Sequence, residues 1–164
     1  MSLRLIVMRH GQAEEAHPRG DRRRTLTVRG HAQAAYVASE IARNGWTPGL
    51  ILTSDAERAH ETAEGVKAAT GNTAVLEVAP DFYLTGFDRL APRVARVGVE
   101  VACILVVGHN PGWSDALYQM TGKPLGLSPA DAAVLEHTAA DWSTAFSVAL
   151  KWSVTGMVRA SFTP

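Results

Sequence analysis

The sequence predicts an α/β three-layer sandwich: a mainly parallel central sheet, helices on both of its faces, and an antiparallel edge added by the C-terminal residues. Three observations predict it. Short apolar runs alternate with stretches of helical period, as in chained strand and helix units. The runs over 3–8 and 101–107 are almost uninterrupted, the pattern of strands covered on both faces. From Ala132 onward the runs shorten and helical spacing disappears, which suits antiparallel strands.

The elements follow in order. Residues 3–8 form the first strand, with Arg4 as its one polar member, and it ends at Arg9-His10-Gly11. Residues 12–24 contain Pro18, Gly20 and the run Asp21-Arg-Arg-Arg24 without a helical or strand period, so they form a loop, and long loops in compact domains are often functional. Val28, Ala32, Ala35, Ser39 and Ala42 keep helical spacing, Thr27 suits the N-cap and Gly45 the stop, giving a helix over 28–44. Residues 50–53 make a second strand. Asp55 suits the N-cap of the next helix, which carries Ala59, Ala63 and Val66 and ends before Gly71. A third strand over 73–78 and a short helix over 87–97, interrupted by Pro92, precede the central strand over 101–107. Asn110 then suits an N-cap and Pro111 the first helical position of a helix reaching about residue 120. Runs over 132–137, 146–152 and 157–162 are expected as strands of the antiparallel edge. With no repeat, low-complexity tract or linker, 1–164 reads as a single domain.

A chain of 164 residues can bury roughly 70% of its unfolded surface around one core without staples. Sixteen basic residues balance sixteen acidic ones, which excludes a strongly basic surface for nucleic acid or membrane, so any anion site must be local. The single cysteine, Cys103, lies in an apolar run and reads as a small buried hydrophobe; an intrachain disulfide is excluded. The N-terminal apolar run is too short for a signal peptide, and no stretch approaches the ~18 apolar residues of a membrane span. A cytoplasmic location is therefore expected. Trp113, Trp142 and Trp152 read as packing residues, because no basic stripe accompanies them. His17, His31, His60 and His137 lack ligand spacing, so neither a metal nor another cofactor is expected.

Three polar clusters follow three strands: Arg9-His10-Gly11, the segment from Thr53-Ser54 to Arg58, and Gly108-His109-Asn110. Ligands of open α/β sheets bind beyond the carboxyl ends of strands, so these clusters can converge on one crevice. Each alone has a plainer explanation: a chance tripeptide, a solvated helix arginine paired with Glu61 or Glu57, and a strand-end histidine satisfied by a carbonyl. Their joint placement points to an oxyanion cage of two arginines and two histidines. Arg58 sits in the first turn of its helix, where the dipole favours an anion, and Arg9 adds a second fork suited to phosphate. Gly11 is expected to allow close backbone approach beside the imidazole. Arg22 and Arg23 read as a solvated loop.

The sequence resembles the histidine phosphatase superfamily, of phosphoglycerate mutase-like fold, and within it the SixA-type phosphohistidine phosphatases. The resemblance is carried by Leu5-Ile-Val-Met-Arg-His-Gly-Gln-Ala13, Asp21-Arg-Arg-Arg-Thr-Leu-Thr-Val-Arg-Gly30, Thr53-Ser-Asp-Ala-Glu-Arg-Ala-His-Glu-Thr62 and Val106-Val-Gly-His-Asn-Pro-Gly112, in family order. It implies that His10 is the nucleophile and that Arg9, Arg58 and His109 bind the phosphoryl oxygens, with Gly11, Ser54 and Asn110 as further substrate-binding positions. The chemistry agrees: phosphoryl transfer asks a protein mainly for positioning and charge stabilisation, and a neutral imidazole can carry the group to water.

No clear general acid stands in the region around residues 81–88, where Asp81 and Asp88 are the candidate proton donors. An alkoxide needs a proton to leave, whereas imidazole leaves readily, so a site poor in acids points to phosphohistidine on a protein. The alternatives are a small-molecule phosphomonoesterase acting on a phosphorylated metabolite and a non-catalytic phosphate-binding module; a mutase is disfavoured because the chain lacks length for the segments that wrap a bisphosphate.

Overall fold

In the computed structural model, which describes residues 1–147 and 151–160, the apolar runs become six strands. They are β1 (Ser2–Arg9), β2 (Leu50–Thr53), β3 (Val75–Val78), β4 (Cys103–Gly108), β5 (Ala132–Thr138) and β6 (Ser153–Val158), in the sheet order β3-β2-β4-β1-β5-β6. The first four run parallel, while β5 pairs antiparallel to β1 and β6 antiparallel to β5. Five helices connect them: α1 (Val28–Arg43), α2 (Glu57–Ala69), α3 (Phe87–Val94), α4 (Gly112–Thr121) and the single turn α5 (Trp142–Ala145). None of the described helices is long and apolar enough to cross a membrane.

Alternation along the central strands sorts the core into two layers. Leu3, Leu5 and Val7 of β1 and Ile104 and Val106 of β4 face Leu90 and Val94 of α3 and Trp113 and Leu117 of α4. Ile6 and Met8 of β1 and Leu105 and Val107 of β4 face Val37, Ala38 and Ile41 of α1 and Ala59, Ala63 and Val66 of α2. Each fully buried aliphatic side chain stabilises the fold by ~1.5–3 kcal/mol, so both helix pairs are held to the sheet by hydrophobic burial. Trp113, Trp142 and Trp152 belong to the first layer, as their sequence context predicts.

Several expected boundaries move, each for a visible reason. Thr27 does cap α1, accepting from the Gly30 amide. Asp55 does not cap α2: its carboxylate takes Arg22, Ala56 holds the cap position, and the Ser54 hydroxyl accepts from the Ala56 amide. At α4 the cap residue is Pro111, one position later than expected, yet the Asn110 side chain still accepts from the Ser114 amide at 3.3 Å. The expected helix over 87–97 ends at Val94. The strand expected over 146–152 does not begin at Phe146, because Asp141 caps α5 through the Thr144 amide and Phe146 closes that turn; residues 148–150 lie outside the described residues. The last strand starts at Ser153 rather than at 157, paired to β5 from Glu136 to Ala132 with an irregularity at Val134/Leu135, and residues 161 and 162 lie outside the described residues. Cys103 is partly buried against the second layer, and burial pushes its thiol up to about 11.

The strand order is what creates a site. β4 lies between β1 and β2, so the carboxyl ends of these three strands are neighbours, with Arg9 level with Gly108 and Thr53 level with Val107.

Candidate active site

Each polar cluster rides on one of these strand ends, and the clusters meet at a cavity of about 260 Å³ lined by Arg9, His10, Asp21, Arg24, Arg58, Leu84, His109 and Asn110. The rings of His10 and His109 lie 5.2 Å apart between centroids. Arg58 reaches both: its Nε donates to His10 Nε2 at 3.2 Å, and its Nη2 lies 3.4 Å from His109 Nδ1. Arg9 donates from Nη1 to the Leu127 carbonyl at 3.0 Å, while its Nε is buried with no partner among the described residues.

The hydrogen bonds define both histidine tautomers. His10 Nδ1 lies 2.7 Å from the Gly11 carbonyl, which can only accept, so Nδ1 carries the proton and the Nε2 lone pair faces the cavity. Arginine can only donate, so His109 Nδ1 accepts from Arg58, and His109 Nε2 donates to Ser54 Oγ at 2.8 Å. Burial is the main cause that lowers His10 to about 4, aided by the charges of Arg58, Arg9 and Arg24 and opposed by the Gly11 carbonyl. His109 falls to about 3, again chiefly by burial, with His10 and Arg58 adding to it. The cage therefore holds two guanidinium cations and two neutral imidazoles near neutrality.

Local packing explains why these residues hold their places. The Gly11 amide donates to Thr62 Oγ1, whose hydroxyl donates to the Arg58 carbonyl, tying the end of β1 to α2. A Cβ on Gly11 would stand 2.6 Å from the Gly30 carbonyl oxygen, and one on Gly30 only 1.9 Å from that of Gln12. Gly11 is thus required by the close approach of α1 to the strand end, and its amide is already committed to Thr62. Ser54 is fully buried behind His109 and bonds to that ring at 2.8 Å. Asn110 does line the cavity, held by bonds from Nδ2 to the Leu127 carbonyl and to Oδ1 from Ser114.

Asp81 and Asp88 do not reach the cavity. Both are exposed, and Asp88 lines a separate cleft with Asp115 and Gln119. The carboxylate among the lining residues is Asp21, whose sequence context is that of a solvated charge run. Tyr83 donates to Asp21, Arg24 donates to it at 2.8 Å, and Arg58 Nη2 at 3.0 Å. These bonds, Tyr83's first, hold the Asp21 carboxyl far below the usual carboxylate range. The Tyr83 ring stacks on His109 at 5.4 Å and carries the Arg22 guanidinium 3.9 Å above its centroid. Asp21, Arg24, Thr62 and Tyr83 are further residues of the site to which the sequence reading assigns no role, although Asp21, Arg24 and Thr62 lie within the segments that carry the family resemblance.

A parallel sheet whose three adjacent strand ends present paired histidines and arginines defines an oxyanion-handling enzyme of the phosphoryl-transfer class. Relatives agree. Residues 5–83 match the histidine phosphatase superfamily (branch 1). An uncharacterized chloroplastic protein of Arabidopsis thaliana is 31% identical over 170 residues, covering 96% of this chain and 78% of its own. A protein of Agrobacterium tumefaciens assigned as the phosphohistidine phosphatase SixA is 26% identical, with 95% and 97% of the two chains superposed at a TM-score of 0.81. The SixA protein histidine phosphatase in its tungstate complex shares the fold, at 20% identity, a TM-score of 0.81 and coverage of 96% and 97%. The chain belongs to the histidine phosphatase superfamily, and its fold is that of the SixA structures it superposes on. Phosphatase chemistry, hydrolysis of a phosphorylated substrate, goes with that membership.

Proposed function

We propose that the protein hydrolyses phosphohistidine on a protein partner, through a phosphohistidine formed on His10 and without a metal. The supporting observation is the state of Asp21: the carboxylate lining the cavity is held ionised by Tyr83, Arg24 and Arg58, so it has no proton to give a leaving group. An alkoxide would leave poorly from such a site, whereas the imidazole of phosphohistidine can already carry a proton on its other ring nitrogen and departs neutral.

In this reading the Nε2 lone pair of His10 attacks phosphorus in line as the P–N bond to the substrate imidazole breaks. His10 Nδ1 keeps its proton, donated to the Gly11 carbonyl, which stabilises the positive charge the ring acquires. Arg58 transfers its cavity-facing donors from the imidazoles to phosphoryl oxygens, Arg9 offers the unpartnered Nε, and His109 takes up a proton from solvent as the dianion arrives, becoming a donor through Nδ1, and returns it to solvent when phosphate leaves. Water then attacks the phosphorus, the P–Nε2 bond breaks, the electron pair returns to His10, and both water protons leave with the phosphate. The two guanidiniums supply the charge stabilisation for which other phosphatases use metal ions.

Incubation with a ³²P-labelled phosphohistidine protein is expected to leave acid-labile, alkali-stable label on the wild type and none on His10→Ala. Its kcat/KM is expected to exceed that on a panel of sugar phosphates by about a hundredfold or more, which corresponds to ~3 kcal/mol of differential transition-state binding. EDTA is expected to leave turnover unchanged. Preference for the sugar phosphates would make the protein a small-molecule phosphomonoesterase, and label retained by His10→Ala would overturn the mechanism.

A further inference from the structure

Arg58 is the pivot of the cage and is only 2% exposed, so its orientation is decided by what it bonds rather than by solvent. A guanidinium has two usable edges: one presents Nε and one terminal nitrogen, the other presents both terminal nitrogens. In this site the first edge faces the histidines, with Nε on His10 at 3.2 Å and Nη2 beside His109 at 3.4 Å. The second edge is occupied by one residue. Nη1 donates to the Asp21 backbone carbonyl at 2.7 Å and Nη2 to its carboxylate at 3.0 Å.

We infer that Asp21 is the positioning residue of this phosphatase: by gripping the terminal edge of Arg58 it turns the other edge toward the phosphoryl group, and Tyr83 braces that grip. The inference rests on the proposed roles of His10 and Arg58. Asp21 heads a 3-10 turn over Asp21–Arg23, 37 positions before Arg58, so the loop after β1 folds back to supply it. Its carboxylate also accepts from Arg24 and Tyr83, and Tyr83 in turn stacks on His109. One carboxylate thus connects the guanidinium to the aromatic ring that backs the second histidine. A buried guanidinium without this counter-charge would keep a desolvation cost and swing its terminal edge toward the cavity mouth. Asp21 leaves the Nε edge open, so phosphate binding does not require its displacement.

A purely electrostatic role makes the opposite prediction, because a carboxylate lining an anion site repels the anion. Removing it would then lower KM and strengthen inhibition by orthophosphate.

The test is a double-mutant cycle with phosphoramidate, a small phosphoryl donor that leaves the protein partner out of the measurement. Asp21→Ala is expected to lower kcat by about tenfold to a hundredfold, the scale of a misplaced catalytic group, and to weaken orthophosphate inhibition. Asp21→Asn, which keeps an acceptor for Nη2, is expected to recover most of the loss. Tyr83→Phe, which keeps the stack on His109 and removes the bond to Asp21, is expected to cost about twofold to fivefold in kcat and nothing further in Asp21→Ala. In Arg58→Ala, Asp21→Ala is expected to change kcat by less than about twofold, since a residue acting through Arg58 has nothing left to position. Equal losses in the presence and absence of Arg58, or tighter phosphate inhibition in Asp21→Ala, would overturn the inference while leaving the catalytic assignment intact. If Asp21→Ala fails to fold, the same cycle run with Tyr83→Phe decides it. Wild-type protein that neither turns over phosphoramidate nor binds orthophosphate would overturn the site assignment itself, and this inference with it.

Discussion

The parallel and antiparallel halves of the sheet divide the work differently. The parallel half, β3-β2-β4-β1, ends three adjacent strands in polar clusters that converge on a cavity of about 260 Å³. The antiparallel half, β5 and β6, borders a cleft of about 700 Å³ that includes Glu136, His137, Lys151 and Ser153, but it collects no comparable set of cations. Chemistry follows convergence of charged groups rather than volume. The second half contributes instead by bracing: the Ala130 amide donates to the His10 carbonyl, the Arg9 amide to the Asp131 carbonyl, and Arg9 Nη1 to the Leu127 carbonyl. That bracing segment is held by Asp131, 1% exposed, whose carboxylate accepts from the Ser128 and Ala160 amides and from Arg159. One half thus presents the reactive groups and the other fixes the backbone that carries them.

Substitution on each side can break this division. The largest effect is expected from Arg9→Ala, which removes a proposed oxyanion donor from the parallel half: kcat/KM on phosphohistidine protein should fall about 10²- to 10³-fold, with the thermal midpoint changed little. Steady-state kinetics beside a melting curve would check it, and a large loss of stability with near-normal turnover would reverse the assignment of Arg9. Asp131→Ala should do the reverse. It strands two amides and Arg159, so urea unfolding is expected to show a loss of roughly 2–4 kcal/mol, with kcat of the folded fraction reduced less than in Arg9→Ala.

The smallest effect is a displacement on the pH axis. With His10 held at about 4, the free protein keeps its proposed nucleophile neutral well below the ordinary histidine value of ~6.5, so the acid limb of kcat/KM should lie near pH 4. The sign for stability follows from the same depression. Between ~6.5 and about 4 the unfolded chain binds more protons than the folded one, so stability rises with pH across that window and is lost as pH falls through it. His109, at about 3, extends the loss further into acid. Unfolding free energies measured from pH 4.5 to 7 should therefore slope upward, and a flat profile with an acid limb at 6.5 would show both histidines to be solvated.

The four cage residues are legible in the sequence because each follows or opens a strongly patterned element. Arg9 and His10 end β1, His109 follows β4, and Arg58 falls in the first turn of α2. The loop residues are not legible in this way. Asp21 lies in a run whose neighbours Arg22 and Arg23 are indeed exposed, and its own importance comes from contacts with Arg58 and Tyr83, 37 and 62 positions away. Asp81 and Asp88 have the chemical type and the place in the chain expected of a proton donor, but both are exposed and neither lines the cavity. Ser54 and Gly11 adjoin His109 and His10 in space, and their packing against His109 and Gly30 is likewise a tertiary contact.

Taken alone, the sequence determined the parallel strands, the principal helices, the antiparallel edge and the strand-end location of the reactive groups, because apolar period and capping chemistry act between near neighbours. Only the tertiary structure decided that β4 inserts between β1 and β2, that Asp21 folds back onto Arg58, and that α5 occupies part of the stretch expected to lead into a strand. Those outcomes depend on contacts between residues tens of positions apart, which no local pattern encodes. The candidate site therefore takes its ingredients from short motifs and its geometry from the order in which the strands pack.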